Sequence, residues 1–265
     1  MKRLNLLLLI AAFATGTATA ADMDWRLRVT KEADGWSVSL SGPMEFGQGR
    51  NRIQGSGVRV EKQRALPAFT RLRLEGPVDV RLAQAGSDQA IVVADDNVEP
   101  LIETVVEGES LVVRLRRDAG FTMRTMPVVR VDARTLQAVV VSGSGDLAVE
   151  QFKADALQIQ LMGSGDAWLG LVELKDLRVG VGGSGDIRLA GRAEQQDWTV
   201  SGSGDVDARA LSGRSARAVL SGSGDVSLGV LEQLDARLSG SGDLSYVGRP
   251  QLRQSISGSG EIRRR

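Results

Sequence analysis

Seven carboxylates recur at a nearly fixed spacing in the second half of this 265-residue chain. Each one follows a Gly-Ser-Gly tripeptide, and successive copies are 18 to 20 residues apart. The acids are Asp146, Asp166, Asp186, Asp205, Asp225, Asp243 and Glu261. Carboxylates of this kind can bind hard cations such as Ca²⁺ or work in pairs as general acid and base. Which chemistry applies depends on how closely the copies stack.

If the copies stack on one another, neighbouring carboxylates lie near 5 Å apart, the spacing of hydrogen-bonded strands. Two such charges repel by about 0.8 kcal/mol in water and about 3 kcal/mol at an effective dielectric constant of 20. The acids must therefore accept backbone N–H groups, share protons, or hold cations between them. The first of these predicts a structural ladder with no metal. Calcium ions bound along the ladder are the alternative.

The same repetition argues against catalysis. Paired catalytic carboxylates need two different environments that separate their pKa values, and repeated identical sites provide the opposite. The chain has no His and a single Tyr, Tyr246. We therefore predict no catalytic residues, no cofactor and no enzyme activity, with a polysaccharide-active enzyme as the lesser alternative.

The elements that carry the acids are short strands. Apolar residues alternate with polar ones on both sides of each Gly-Ser-Gly, as in Val139 and Val141 before the first copy and Leu147 and Val149 after it. A period-2 pattern indicates strands with one face inward, and a fixed period of this length indicates a repeat architecture. We expect the glycines to supply positive φ at sharp corners and to permit close stacking.

A turn of about 20 residues at ~3.3 Å per residue makes a closed path of roughly 65 Å, which suits three short strands and three corners. The prediction is an all-β parallel β-helix, a single-stranded solenoid. Antiparallel hairpins with Gly-Ser-Gly turns are the alternative fold.

Four regions follow along the chain. Residues 1–20 read as a cleaved signal peptide, with Lys2 and Arg3 before an apolar run and small residues at 18–20. Residues 21–56 form a lead-in or cap that contains a β-hairpin, 57–135 the first irregular turns, and 136–265 the regular repeat turns. No later stretch is apolar enough to span a membrane as a helix. These features predict export to the periplasm or the cell exterior.

The chain resembles a family of exported bacterial proteins described as "putative auto-transporter adhesin, head GIN domain". The resemblance rests on the repeated Gly-Ser-Gly-Asp, on Gly57-Val-Arg-Val-Glu61 and Leu66-Pro-Ala-Phe69, and on Leu74-Glu-Gly-Pro-Val-Asp-Val80 and Ala94-Asp-Asp-Asn97. It covers roughly residues 57–262. The resemblance implies a right-handed parallel β-helix and a role at the cell envelope.

One aromatic residue is a candidate binding residue. Trp168 lies two positions after Asp166, where the alternation points outward, whereas Trp198 is predicted to point into the core. An exposed Trp can anchor a partner or stack on a sugar, unless a neighbouring segment covers it. The balance of 33 basic and 33 acidic residues argues against nucleic acid as a partner.

The predicted function is therefore binding, adhesion or scaffolding at the envelope, with an envelope protein or a glycan surface as partner. A self-associating structural protein is the alternative.

Overall fold

The computed structural model describes residues 26–32, 35–41, 44–46, 52–116, 120–123 and 126–265. The predicted signal peptide, residues 1–20, lies outside these ranges. Contacts divide the chain into two units, Met1–Met44 and Glu45–Arg265. In the first unit, strands Arg26–Glu32 and Gly35–Ser41 form an antiparallel pair with Val29 opposite Val38.

Strand is the dominant structure among the described residues. In chain order the strands are β1 Arg26–Glu32, β2 Gly35–Ser41, β3 Met44–Phe46, β4 Arg52–Gln54, β5 Arg59–Ala65, β6 Arg71–Glu75, β7 Asp79–Gln84, β8 Gln89–Asp95, β9 Ile102–Glu107, β10 Ser110–Leu115, β11 Gly120–Met123, β12 Val128–Ala133, β13 Ala138–Val141, β14 Leu147–Leu161, β15 Ala167–Val181, β16 Ile187–Val200, β17 Val206–Ser212, β18 Ser215–Leu220, β19 Val226–Val230, β20 Gln233–Leu238, β21 Leu244–Val247, β22 Gln251–Ile256 and β23 Ile262–Arg264. A 3-10 turn spans Glu99–Leu101.

The second unit contains a parallel β-solenoid of about six turns, which confirms the predicted fold class. β14 pairs with β15, and β15 with β16, in parallel along nearly their whole lengths. Each later coil is built from two strands, β17 with β18, β19 with β20, and β21 with β22, which pair with the equivalent strands of the coil before. The antiparallel-hairpin alternative is wrong for these repeats.

Each coil has three sides, as the burial pattern of β14 shows. Buried and outward residues alternate along Leu147–Val149 (side 1), Phe152–Ala154 (side 2) and Leu157–Leu161 (side 3), and two consecutive exposed residues mark each corner between them. The corners do not interrupt β14, because the adjacent coil bends at the same place and keeps the register.

Stacking order and chain order differ at the start of the solenoid. β6 lies between β10 and β13, and β7 lies between β12 and β14, all in parallel. The coil made of β6 and β7 therefore stacks directly against the first Gly-Ser-Gly coil, although residues 85–137 intervene in sequence. Antiparallel strands extend the sheets further out: β9 pairs with β10, β8 with β12, and β5 with β8.

The core is one continuous column of apolar side chains along the solenoid axis. Trp198, predicted to point inward, is fully buried, and its indole N–H donates to Gln196 Oε1 at 3.2 Å. Full burial of a large apolar side chain contributes about 1.5–3 kcal/mol. Because the coils stack in register on this core, the corners and the acids that they carry are held in line.

Candidate functional site: the carboxylate ladder and side 1

The Gly-Ser-Gly corners pile directly on one another. Ser164 N donates to Gly143 O at 3.1 Å, and the same bond recurs between later corners. A Cβ atom built on Gly163 would lie 1.9 Å from Gly143 O, and one on Gly183 would lie 2.0 Å from Gly163 O. Such contacts are impossible for a side chain, so the glycines are required by close backbone approach.

The expectation that these glycines supply positive φ is wrong. In the part of the chain that the structure describes, positive φ occurs at Gly57, Gly76, Gly108, Gly191 and Gly248, and all five lie outside the seven tripeptides. The Gly-Ser-Gly corners therefore turn without a glycine in the left-handed region. The physical reason for glycine is the stacking distance alone.

The carboxylates form a ladder of hydrogen bonds between coils. In each rung, Oδ1 of one acid accepts the backbone N–H of the acid in the following coil. The N···O distances are 2.9 Å for Asp146 to Asp166, 2.8 Å for Asp166 to Asp186, 2.9 Å for Asp186 to Asp205, 2.8 Å for Asp205 to Asp225, 2.8 Å for Asp225 to Asp243 and 2.9 Å for Asp243 to Glu261. Bonds to a charged acceptor are stronger than neutral ones, which offsets repulsion along the column.

The ladder has a seventh rung, made by an eighth acid, that the sequence analysis missed. Asp146 N donates to Asp79 Oδ1 at 3.0 Å, across 67 positions of sequence. Asp79 ends Gly76-Pro77-Val78-Asp79, a degenerate copy of the corner, and Val80 and Leu82 continue the inward pattern. The Gly76–Asp79 motif was the available sequence signal. It was not recognised as a copy of the corner because it lies 67 residues before Asp146, far outside the repeat period of 18 to 20 residues.

Asp79 gives the ladder a pH-dependent end. Its burial raises the pKa above the ordinary 3.8, the hydrogen bond from Asp146 N lowers it, and the charge of Asp146 raises it again. A carboxyl whose pKa is raised on folding destabilises the ionised protein, and this cost is absent below pH 3.8, where both states are protonated.

We expect Asp79→Asn to be at least as stable as the wild type near neutral pH, because the amide oxygen still accepts the Asp146 N–H. The gain should shrink as the pH falls and vanish below 3.8. Urea unfolding at a series of pH values measures it. A gain of equal size at neutral and acid pH would contradict this account.

The inner rungs test the ladder itself. Asp205→Ala removes the acceptor of the Asp225 N–H and should cost about 1–2 kcal/mol in the free energy of unfolding. Asp205→Asn keeps an oxygen in that position and removes one charge from the column, so it should be nearly neutral. If Asn and Ala cost the same in urea titrations, the hydrogen bond is not what the acid contributes.

The prediction that the ladder holds no metal remains to be tested. Among the described residues, no three or more Asp or Glu side chains are grouped so that they could hold a metal ion. One oxygen of each ladder aspartate, from Asp146 to Asp243, is also already bonded to an N–H. We expect calorimetric titration with calcium to show no stoichiometric heat at millimolar concentrations. Saturable heat that disappears in Asp205→Asn would support the calcium alternative instead.

Side 1 lies immediately beside the ladder. Its outward position, two residues after each acid, forms a column aligned by the strand register. The column reads Arg81, Ala148, Trp168, Arg188, Asp207, Ser227, Ser245 and Arg263. Unlike the ladder, it varies from coil to coil. Side chains that vary from coil to coil on a rigid scaffold can give a surface its binding specificity.

A groove of about 330 Å³ follows this column from the coil of Asp186 to the last coil. Its charged lining consists of five carboxylates, Asp186, Asp205, Asp207, Asp225 and Asp243, and four guanidinium groups, Arg188, Arg209, Arg263 and Arg265. Arg209 Nε donates to Asp207 Oδ1 at 2.8 Å, and this pairing lowers the pKa of Asp207. We call this feature the side-1 groove.

Trp168 stands on side 1 in the coil next to the groove, in register with Arg188. Its side chain is 47% exposed, as the alternation predicted. A Cβ on Gly170 would come within 2.7–2.8 Å of indole carbons Cη2 and Cζ2, so the ring lies over the bare backbone of Gly170. The same coil carries two other exposed apolar residues, Met162 and Leu171.

The remaining sides carry charges that alternate from coil to coil. One such column reads Asp155, Lys175, Glu194, Arg214 and Glu232, with Lys175 Nζ 2.7 Å from Asp155 Oδ1. Another, on side 3, reads Arg178, Asp197, Arg217, Asp235 and Arg253 and lines a larger groove of about 660 Å³. Opposite charges in neighbouring coils stabilise stacking. Neither groove has an aromatic residue in its lining, but the exposed Trp168 lies on side 1 in the coil next to the side-1 groove, so side 1 is the better candidate for binding.

The fold and this surface define a repetitive β-solenoid with a hydrogen-bonded acid ladder and one variable face. A model of the family described as "putative auto-transporter adhesin, head GIN domain" matches residues 68–250, more than half of the chain. The chain belongs to that family, as its sequence resemblance predicted.

Solved structures share the fold. A putative adhesin from Bacteroides fragilis superposes with a TM-score of 0.73 at 24% identity, over 80% of this chain and 99% of that one. A putative lipid binding protein from Parabacteroides distasonis gives 0.68 at 24% identity, over 81% and 99%. A putative adhesin from Parabacteroides merdae gives 0.66 at 19% identity, over 80% and 98%. No match was found among curated proteins.

Proposed function

We propose that this protein is a non-enzymatic binding protein of the bacterial envelope and that side 1, with Trp168, is its contact surface. The observation that carries the proposal is the exposed indole on a rigid face, beside a groove with charged walls. Exposed aromatic residues of this kind are common anchors in binding interfaces. Membership of a family named for adhesins supports a binding role.

The arrangement of the acids supports the absence of catalysis. Each inner rung repeats one environment, in which Oδ1 accepts a backbone N–H of the following coil. General acid and base catalysis needs two carboxyl groups with different protonation tendencies. Assays for hydrolysis or elimination of envelope and plant polysaccharides should therefore stay at background.

The envelope location rests on residues 1–20, which have the composition of a signal peptide, and on the family. No helix among the described residues is long and apolar enough to cross a membrane. Fractionation of cells that produce the full chain tests the location. Recovery of the unprocessed chain in the cytoplasm would contradict it.

A binding experiment tests the function. Chain lacking residues 1–20 is titrated onto immobilised envelope fragments of its source bacterium. We expect saturable binding that Trp168→Ala weakens by about tenfold or more, the usual loss for a central aromatic anchor. Met162→Ala, at an exposed residue of the same coil on the other side of the Gly-Ser-Gly corner, is the matched control and should change affinity less than twofold.

Sedimentation velocity distinguishes the self-associating alternative. A monomer at all concentrations agrees with the proposal. Concentration-dependent assembly, without Trp168-dependent binding to envelope fragments, would replace the proposal with a structural role.

A further inference from the structure

We infer that the side-1 groove binds an uncharged linear glycan laid along the solenoid axis, with Trp168 stacking on one sugar ring. This rests on the proposed function and adds the chemical class of the partner.

The first step is the platform. The indole of Trp168 lies over Gly170, where any side chain would collide with it, and almost half of its surface is open. Its neighbours in the column are Ala148, which is small, and Arg188, which is exposed. The C–H face of a pyranose ring can stack on this flat aromatic face. The small side chain of Ala148 leaves room for the sugar on one side, and Arg188 can donate hydrogen bonds to its hydroxyl groups on the other.

The second step is the supply of hydrogen-bonding groups. Oδ1 of Asp186 and Asp205 is bonded to the next coil, so Oδ2 is the oxygen available to a ligand on these exposed or half-exposed side chains. Carboxylate oxygens accept strongly from hydroxyl groups. These acceptors recur once per coil, at about 4.8 Å, which is close to the length of one sugar unit. The groove spans roughly 19 Å at that spacing and therefore suits several successive sugars.

The third step is charge. Five carboxylates face four guanidinium groups in the groove, and two pairs are internally matched, Arg209 with Asp207 and Arg263 with Asp243 at 3.9 Å. A polyanionic ligand would be repelled by the carboxylates of the groove, and a polycationic ligand would be repelled by its guanidinium groups. The near balance favours a ligand without net charge.

The fourth step concerns polypeptide and lipid. Each of β15, β16, β17, β19 and β21 has a parallel neighbour on both edges, so a peptide cannot add to any of these five strands as an extra strand along the groove. A lipid surface selects a broad apolar or basic patch, and the groove holds neither.

Envelope fragments treated with periodate, which cleaves vicinal diols of sugars, test the class. We expect Trp168-dependent binding to fall at least tenfold after periodate and to survive proteinase treatment. Loss of binding after proteinase alone overturns the inference in favour of a protein partner. Resistance to both treatments, with binding to vesicles made from the extracted lipids, overturns it in favour of lipid. In both of these outcomes the proposed function stands.

Salt and a conservative variant complete the test. Binding to periodate-sensitive fragments should change less than twofold between about 50 and 500 mM NaCl, since an uncharged ligand is not screened. A tenfold fall would overturn the assignment to an uncharged glycan. Trp168→Phe should bind with intermediate affinity because it keeps a smaller ring, and Met162→Ala should match the wild type. If no Trp168-dependent binding occurs with untreated fragments, the proposed function itself fails.

Discussion

Gly183→Ala is expected to lower the free energy of unfolding by about 3 kcal/mol or more, enough to prevent folding of a marginal chain. The added Cβ would lie 2.0 Å from Gly163 O and 2.8 Å from Met162 C, both backbone atoms of the preceding coil. A flexible side chain could move aside, but these atoms belong to a stacked corner. Separating the corners breaks the bond from Ser184 N to Gly163 O and shifts every ladder contact beyond it.

The adjacent residue provides the control. A Cβ on Gly182 would lie 3.7 Å from Ser201 Oγ, an ordinary contact, and Gly182 has no positive φ. Five of the seven copies have Ser at this position: Ser142, Ser201, Ser221, Ser239 and Ser257. Gly182→Ala should therefore be neutral or stabilise by up to about 1 kcal/mol.

The midpoint and slope of urea unfolding, followed by circular dichroism, measure both variants. Repeat proteins can unfold in parts, so the two variants are compared by midpoint as well as by extrapolated free energy. Equal midpoints for Gly182→Ala and Gly183→Ala would show that the corners do not stack as closely as the structure indicates.

The sequence predicts the regular coils well because each position repeats the same physical requirement. Val141, Leu161 and Val181 occupy one inward place in successive coils, and the period fixes how they stack. It also predicts the outward Trp168. It does not predict why the corner is glycine, because close backbone approach and positive φ select the same residue.

The strand pairing at the start of the solenoid could not be predicted from the repeat pattern. β6 and β7 stack against β13 and β14 although more than 50 residues separate them, and no local pattern encodes a contact across such an insertion. Asp79 was missed for this reason. The side-1 groove was missed as well, because its walls combine Arg188, Asp207 and Arg209 from two coils with a common register, and charge pairing across coils is invisible in a single repeat.

The antiparallel strands at that end depend on a buried ion pair, which carries the second large expected effect. Glu99, in the 3-10 turn, is 3% exposed, and its carboxylate accepts from Arg64 Nη2. Arg64 also donates from Nη1 to Ile102 O at 2.6 Å and to Thr104 Oγ1 at 3.1 Å. One guanidinium of β5 thus holds the turn and the start of β9 together.

Arg64→Met should therefore lower the free energy of unfolding by about 3 kcal/mol, because it leaves a buried carboxylate and two oxygen acceptors without their donor. Lys62 Nζ lies 3.5 Å from Glu99 Oε2, but its side chain is 64% exposed, so it compensates only in part. Arg130→Met is the matched control, since Arg130 pairs with Glu61 on the surface and an exposed pair contributes less than about 1 kcal/mol.

The double variant Arg64→Met/Glu99→Met separates loss of the pair from loss of packing. Removing both charges leaves no isolated carboxylate, so much of the stability lost in Arg64→Met should return. Urea unfolding of the two single variants and the double variant measures the coupling. If Arg64→Met costs no more than Arg130→Met, the pair does not hold the 3-10 turn. If the double variant is no more stable than Arg64→Met, the apolar contacts of the arginine stem, and not its charge, join β5 to β9.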